Sequence, residues 1–293
     1  MTRFARFLLL LLAFLIMGLG ASPHAMLARP ALWAVRDADT TIYLFGTVHF
    51  LRPEQVWFSG KIADTFARSD RLVLEVPPPD RLATQRIVAE LGEYPGPELR
   101  DHLSKQQLAI YEGAMAKLGM PPDALDNDRP WLASQALGVK PLEQAGYRLS
   151  AAPETILADA AKHRGKPVSG LETMRFQLGL FAALPPAQQK YMLIRAAQGL
   201  PDAVTNMDAT VQAWGRGDVI GVGAALNREL GALPPDFSSA ILTDRNHRWV
   251  GWIRHRMTQP GTLFVAVGAG HLAGPQSVIA QLRAAGLTVQ RLQ

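Results

Sequence analysis

"TIYLFGTVHFL", residues 41–51, is a run of β-branched and aromatic residues that breaks at Gly46 and presents a histidine three positions later, at His49. Near the C-terminus the pattern returns as "TLFVAVGAGHL", residues 262–272, with Gly268 and His271 at the same offset. Both runs have the composition of strands. A glycine at the strand end lets the backbone turn sharply or pass close to another group. The segments downstream of the two runs are also alike. After the first comes "SGKIADTFARSD", with Ile62, Phe66 and Ala67 at helical spacing, and then the apolar "RLVLEV"; after the second come "PQSVIAQLRAAG" and "GLTVQRL". Each half is a β-GxxH-α-β unit. A crossover helix between parallel strands brings both strand C-termini to one sheet edge, where α/β sheets build their sites. If both units share a sheet, both histidines can lie on that edge.

Upstream, "ALWAVRD" and "TTIYLFG" flank Asp37-Ala38-Asp39 and read as a β-hairpin. Downstream, the triple proline Pro77–Pro79 stops the sheet, and residues 80–258 carry mostly helical signals. Ser104, with Gln107 three residues on, reads as the capping box of a helix through "LSKQQLAIYEGAMAKLG", closed by Gly119 and Pro121. "PETILADAAKHRG" is a further helix, "KPVSGLET" a short strand ending at Glu172, and "PAQQKYMLIRAAQGL", "VTNMDATVQAWGRG" and "LTDRNHRWVGWIRHRM" complete the helical middle. The expected architecture is α/β: one central sheet from the halves at about 30–79 and 259–293, with a largely helical insertion at about 80–258, forming a single domain over 26–293.

Arg3 and Arg6 precede the apolar run Phe7–Gly20 and then small residues, the layout of a secretory signal peptide over about residues 1–25. An exported, periplasmic protein is expected, with no membrane span once the leader is cleaved. The chain has no Cys, which excludes disulfides and thiolate metal sites, so any metal must be held by His, Asp, Glu or Asn. The net charge of +5 falls to about +3 without the leader arginines, and the basic residues are scattered. Nucleic acid is not an expected partner; the substrate is expected to be a peptide or small molecule, and oligomeric state is not legible. There is no GxSxG elbow, HExxH, P-loop or GxGxxG fingerprint.

Two carboxylates, Glu75 in "LVLEV" and Glu172 in "VSGLET", also sit at strand ends in apolar settings. Burying an unpaired carboxylate costs several kcal/mol, so a metal ion or cationic partner must compensate. His49, His271 and one or both glutamates form a ligand set suited to a divalent Zn, Mn or Co ion. Such an ion would acidify bound water, leaving a non-ligand glutamate as general base. "RNHRWVGWIRHRM", residues 245–257, reads either as a solvated amphipathic helix or as one that projects Arg245, and with it Asn246, into the site as the partner of an oxyanion or carboxylate.

"LWAV…TTIYLFGTVHFL", "SDRLVLEV", "GKPVSGLET", "RNHRW" and "FVAVGAGHLAG", in that order and spacing, resemble the TraB/PrgY/GumN family, to which the Tiki metalloproteases are related. The resemblance runs from about Leu32 to Leu292. It implies a fold similar to that of the erythromycin esterase and ChaN proteins, and a site where His49, His271 and Glu75 gather. In Tiki these motifs serve divalent-metal-dependent peptide cleavage. The expected function is therefore an exported metal-dependent hydrolase, a peptidase first of all. His49, Glu75 and His271 would be metal ligands; Glu75, Glu172 and Arg245 would be catalytic, with Glu172 a further ligand or the base and Arg245 stabilising developing negative charge. The competing expectations are a protein that binds a peptide, metal or haem-like ligand without chemistry, and a metal-free esterase using His49 and Glu75 as its acid/base pair.

Overall fold

The hairpin forms first in the chain. β1 (Leu32–Arg36) and β2 (Thr40–Thr47) pair antiparallel from Leu32 opposite Phe45 to Arg36 opposite Thr41. The connecting turn is closed by Asp37, whose Oδ1 accepts from the backbone N–H groups of Thr40 (2.8 Å) and Asp39 (3.2 Å), the local side-chain bond that suits Asp to turns. The structure is a computed structural model that describes residues 27–293 except 79, 97 and 232, so the expected leader lies outside the described residues.

Helix α1 (Gly60–Arg68) carries Ile62 and Phe66 inward and leads to β3 (Arg71–Leu74). The insertion continues as α2 (Arg81–Gly92), α3 (Lys105–Lys117), α4 (Pro130–Gln144), α5 (Pro153–His163), strand β4 (Val168–Gly170), α6 (Met174–Ala182), α7 (Pro186–Gly215), α8 (Val219–Leu230) and α9 (Asp244–Arg256). The chain closes with β5 (Gly261–Gly268), a 3₁₀ turn at Ala269–Leu272, α10 (Val278–Ala284) and β6 (Val289–Arg291). The capping box at Ser104 and Gln107 forms at the start of α3. The two helices read on either side of Pro201 are instead one 30-residue helix, α7. Proline removes one intrahelical bond there, and apolar contacts on both sides of it, through Leu193, Ala197 and Leu200 and then Ala213 and Trp214, keep the axis continuous.

The six strands form one sheet in the order β4-β3-β5-β2-β1-β6. β2 pairs with β5 in parallel over its whole length, from Thr40 opposite Gly261 to Thr47 opposite Gly268, and β3 pairs in parallel with the other side of β5. The two GxxH units thus interlock: β5 enters between β2 and β3, while β6 lies at the sheet edge beyond β1. Strand residues alternate between the two faces, as a period of two requires. Phe45, Phe264, Leu72 and Leu74 pack against α1, α5 and Trp214 of α7. Ile42, Leu44, Val265 and Val73 pack against Trp249 and Ile253 of α9 and Ile279 and Leu282 of α10. A third core, with Tyr111, Met115, Leu137 and Leu193, holds α3, α4 and α7 together within the insertion. Among the described residues no helix is long and apolar enough to cross a membrane.

Trp214 ties the insertion to the first GxxH turn. Its ring is buried, packing edge-on against Phe45 and Trp57, and its Nε1–H donates to the Gly46 carbonyl at 2.7 Å. Replacing Trp214 with Phe keeps an aromatic ring but removes that buried donor. Urea unfolding of Trp214→Phe should show a loss of about 1–3 kcal/mol; an unchanged midpoint would mean that the bond contributes nothing net.

Candidate active site

The adjacency of β2 and β5 brings Gly46 and Gly268 to neighbouring positions at the same strand edge, and each glycine is required by a close approach. A Cβ on Gly46 would lie 3.0 Å from both Cα and Cβ of Ala269, in the 3₁₀ turn that carries His271. A Cβ on Gly268 would lie 3.1 Å from Oε1 of Glu75. Neither glycine has a positive φ. Space, not backbone freedom, demands them.

Glu75 lies one residue past β3 and turns back over β5. Its Oε1 accepts from the Gly268 amide at 2.6 Å, and its Oε2 accepts from Arg245 Nη2 (2.7 Å) and Gln177 Nε2 (3.0 Å). Glu172 lies two residues past β4. Both its oxygens accept from Arg245 Nε (3.1 and 3.0 Å), and it also accepts from Trp249 Nε1 (3.0 Å) and Gln177 Nε2 (3.1 Å). The side chains of Glu75, Glu172 and Arg245 are 11%, 4% and 9% exposed, so two buried carboxylates face one buried guanidinium.

Arg245 comes from the first turn of α9, just after the wide π-helical turn Ser239–Thr243, and its Nη1 donates to the Ile241 carbonyl at 3.0 Å. Such turns recur at functional sites. Nη1 also lies 3.1 Å from His271 Nε2, while His271 Nδ1 lies 2.6 Å from Asn246 Oδ1. Asn246 is held in turn through its Nδ2, which donates to the Gln276 carbonyl at 2.8 Å. Arg245 can only donate and the Asn246 oxygen can only accept, so His271 is neutral, with its proton on Nδ1. Its ring packs on Trp249 at a centroid distance of 4.3 Å. Burial above all, with the Arg245 charge adding to it, pushes His271 down to about 4.

His49 stands in a different setting, with 65% of its side chain open to solvent. Its Nδ1 lies 2.8 Å from Glu154 Oε1, which also accepts from Thr47 Oγ1 at 2.6 Å. Crowding by the site walls opposes its charge, but the Glu154 bond and the nearby Glu154 and Glu75 charges outweigh that and raise His49 to about 9. Glu75 is lowered to about 2: burial would raise it, but the positive partners His271, Arg245 and His49 and the Gly268 amide prevail. Since His271 is itself neutral above about pH 4, Arg245 is the buried cation that acts on Glu75 at neutral pH.

The profile of the TraB/PrgY/gumN family matches residues 31–291, most of the chain. This chain belongs to the TraB/PrgY/gumN family. It is similar to the uncharacterized protein YbaP of Escherichia coli K12, 23% identical over 258 residues that cover 87% of this chain and 92% of that protein. It is also similar to an uncharacterized protein of Treponema pallidum, 23% identical over 283 residues covering 90% of this chain and 83% of that one. No solved structure matches.

The structure brings Glu75, Glu172, Arg245 and His271 of this TraB/PrgY/gumN protein into one bonded cluster, with His49 beside it. Among the described residues no group of three or more His, Asp or Glu is closed around a single point that could hold a metal. Each histidine has Nδ1 tied to a side-chain oxygen, as metal-bound imidazoles commonly do, while Nε2 of His271 accepts from Arg245 Nη1. Reading the sequence missed Glu154, Gln177, Thr47 and Trp249. Glu154 sits in the first turn of α5 after Pro153, where an acidic residue is accounted for by the helix dipole alone. Gln177 is brought in by α6, whose Thr173 cap accepts from the Phe176 amide at 3.1 Å, and nothing in its sequence context marks it.

These shifts fix the sign of the pH dependence. His271 and Glu75 are depressed in the folded state. For Glu75 the contribution to stability is present at neutral pH and is lost as pH falls from 4.5 through about 2. For His271 the neutral form is the one the fold favours, and that preference costs stability as pH falls from 6.5 through about 4. His49 is raised, so its contribution is lost as pH rises from 6.5 through about 9. Ring-resolved NMR titration should find His271 titrating near 4 and His49 near 9; two midpoints near 6.5 would overturn the contrast between the buried ring and the carboxylate-paired one.

Proposed function

We propose that this protein is an exported metal-dependent hydrolase acting on peptides, with its site at the paired GxxH turns. The observation that carries the reading is the meeting of the two GxxH turns: the parallel pairing of β2 with β5 brings His49 and His271 to one sheet edge, beside the ionised Glu75. His49, Glu75 and His271 are the residues that would hold a divalent Mn, Co or Zn ion. When bound, such an ion lowers the pKa of its water toward about 7 and polarises a carbonyl.

The chain's own residues divide the remaining work. Asn246 keeps the proton of His271 on Nδ1, and Nε2, which accepts from Arg245 Nη1, is the atom that would hold the ion in place of that bond. Arg245 keeps Glu75 ionised and aimed, and Glu172 holds Arg245 through both of its oxygens, braced by Trp249 and Gln177. In this reading Glu172 holds Arg245 in place, beside the further-ligand or base role expected of it from sequence. Arg245 spends its donors on Glu75, Glu172, Ile241 and His271, so its charge acts on substrate through those carboxylates. Support for a peptide substrate comes from the resemblance to Tiki, and support for export from the leader pattern outside the described residues.

A second reading has its own observation. Arg245 already supplies a positive charge to Glu75 and His271, so the site can stay ionised without a metal, with His49 and Glu75 as the acid/base pair of a metal-free esterase: the carboxylate-paired His49 carries the proton and the ionised Glu75 is the basic member.

Metal analysis of the mature protein and of the His49→Ala/His271→Ala double variant, with hydrolysis of labelled casein and of p-nitrophenyl acetate, separates these. The proposed hydrolase should bind Mn, Co or Zn only in the wild type and cleave casein in a chelator-sensitive way, with His49→Ala slowing turnover on the order of 10²–10⁴-fold. Ester hydrolysis that survives chelation would favour the metal-free reading. Ligand binding with no turnover of either substrate would leave a binding protein and remove the hydrolase.

A further inference from the structure

Glu154 belongs to the insertion, more than a hundred residues along the chain from the turn it serves. It is brought to the sheet edge by two local devices. Leu51, two residues after His49, forms an isolated antiparallel bridge with Arg148, and α5 then starts at Pro153 with Glu154 in its first turn. Leu51 is fully buried, so the loop carrying His49 and the start of α5 are fastened to each other by main chain and core.

The bonding of the carboxylate is one-sided. Oε1 receives both Thr47 Oγ1–H at 2.6 Å and the His49 Nδ1 contact at 2.8 Å, whereas Oε2 is buried with no hydrogen-bond partner among the described residues. The two bonds to Oε1 fix the orientation of one ring. With Nδ1 turned to Glu154, the opposite nitrogen, Nε2, faces away and makes no hydrogen bond among the described residues. Thr47, the residue after Gly46, locks the carboxylate so that it cannot swing to another acceptor position.

We infer that Glu154 is a positioning residue for the chemistry at the first GxxH turn: with Thr47 it holds the His49 proton on Nδ1 and so presents Nε2 as the working atom. This inference rests on the hydrolase reading for its effect on turnover, but not for its effect on His49. The relay couples a side chain from the helical insertion to a histidine from the sheet, as Asn246 does for His271 from the opposite flank. Each GxxH histidine therefore has its own oxygen partner supplied by the insertion, and the two partners are chemically different: a carboxylate at the exposed ring and an amide at the buried one.

The test uses the full mature protein without added metal and reads the His49 Nδ1–H signal by NMR, in parallel with cleavage of labelled casein after metal addition. Glu154→Ala should abolish the protected Nδ1–H signal of His49 and lower kcat about 10–100-fold with little change in KM. Glu154→Gln, whose amide oxygen can still accept, should restore the signal and part of kcat. Thr47→Val, a milder change should Glu154→Ala fail to fold, should weaken the protection of the same proton. An undisturbed His49 signal in Glu154→Ala, or in Thr47→Val if that is the variant that folds, would overturn the inference. Wild type that cleaves nothing would sink the hydrolase reading, while the NMR signal would still decide the role of Glu154.

Discussion

Arg245 is the interaction on which the site depends. One guanidinium reaches Glu75 from β3, Glu172 from the β4 end and His271 from the turn after β5, and it stacks over Trp249 of its own helix at 4.8 Å. Three strand ends are joined by one side chain from the insertion. A forked, planar donor set suits that task, because its five N–H groups reach separated acceptors that a lysine would have to gather around one nitrogen. The π turn before Arg245 sets its approach, since the Ile241 carbonyl accepts from the same Nη1 that meets His271.

Beneath that cluster lies a packing constraint. β2 and β5 must be adjacent and in parallel register for the two GxxH turns to meet, and once they are, a side chain at either strand-end glycine would crowd a group from the other unit. Gly46 makes room for the turn bearing His271, and Gly268 makes room for Glu75 while its amide bonds to that carboxylate. The motif therefore describes mutual contact: each glycine is small for the sake of a group from the other unit. The two core faces hold this arrangement from either side, with Phe45 and Phe264 facing α1 and Trp214 while Leu44 and Val265 face α9.

The histidines that share a motif do not share an environment. His271 is buried, tied to Asn246 and stacked on Trp249, and it is neutral; His49 is open to solvent and paired with a carboxylate that favours its charge. Two rings with opposite shifts thus stand at one sheet edge, each shift set by its own surroundings. Family membership joins this chain to relatives such as the uncharacterized protein YbaP.

The repeated Gly-x-x-His after apolar strands, the hairpin at Asp37, the capped helix at Ser104 and the strand-end glutamates were all legible in the chain, because each depends on neighbours within a few residues: periodicity, turn chemistry or capping. From them came an α/β sheet with a helical insertion, and His49, Glu75, Glu172, Arg245 and His271 as the candidate site. Tertiary structure alone decided that β5 enters between β2 and β3, that α7 runs unbroken through Pro201, that Glu172 binds Arg245, and that Glu154 and Gln177 reach the site. These are arrangements set by residues far apart in the chain, and no local rule records which strand lies beside which or which helix face meets a turn.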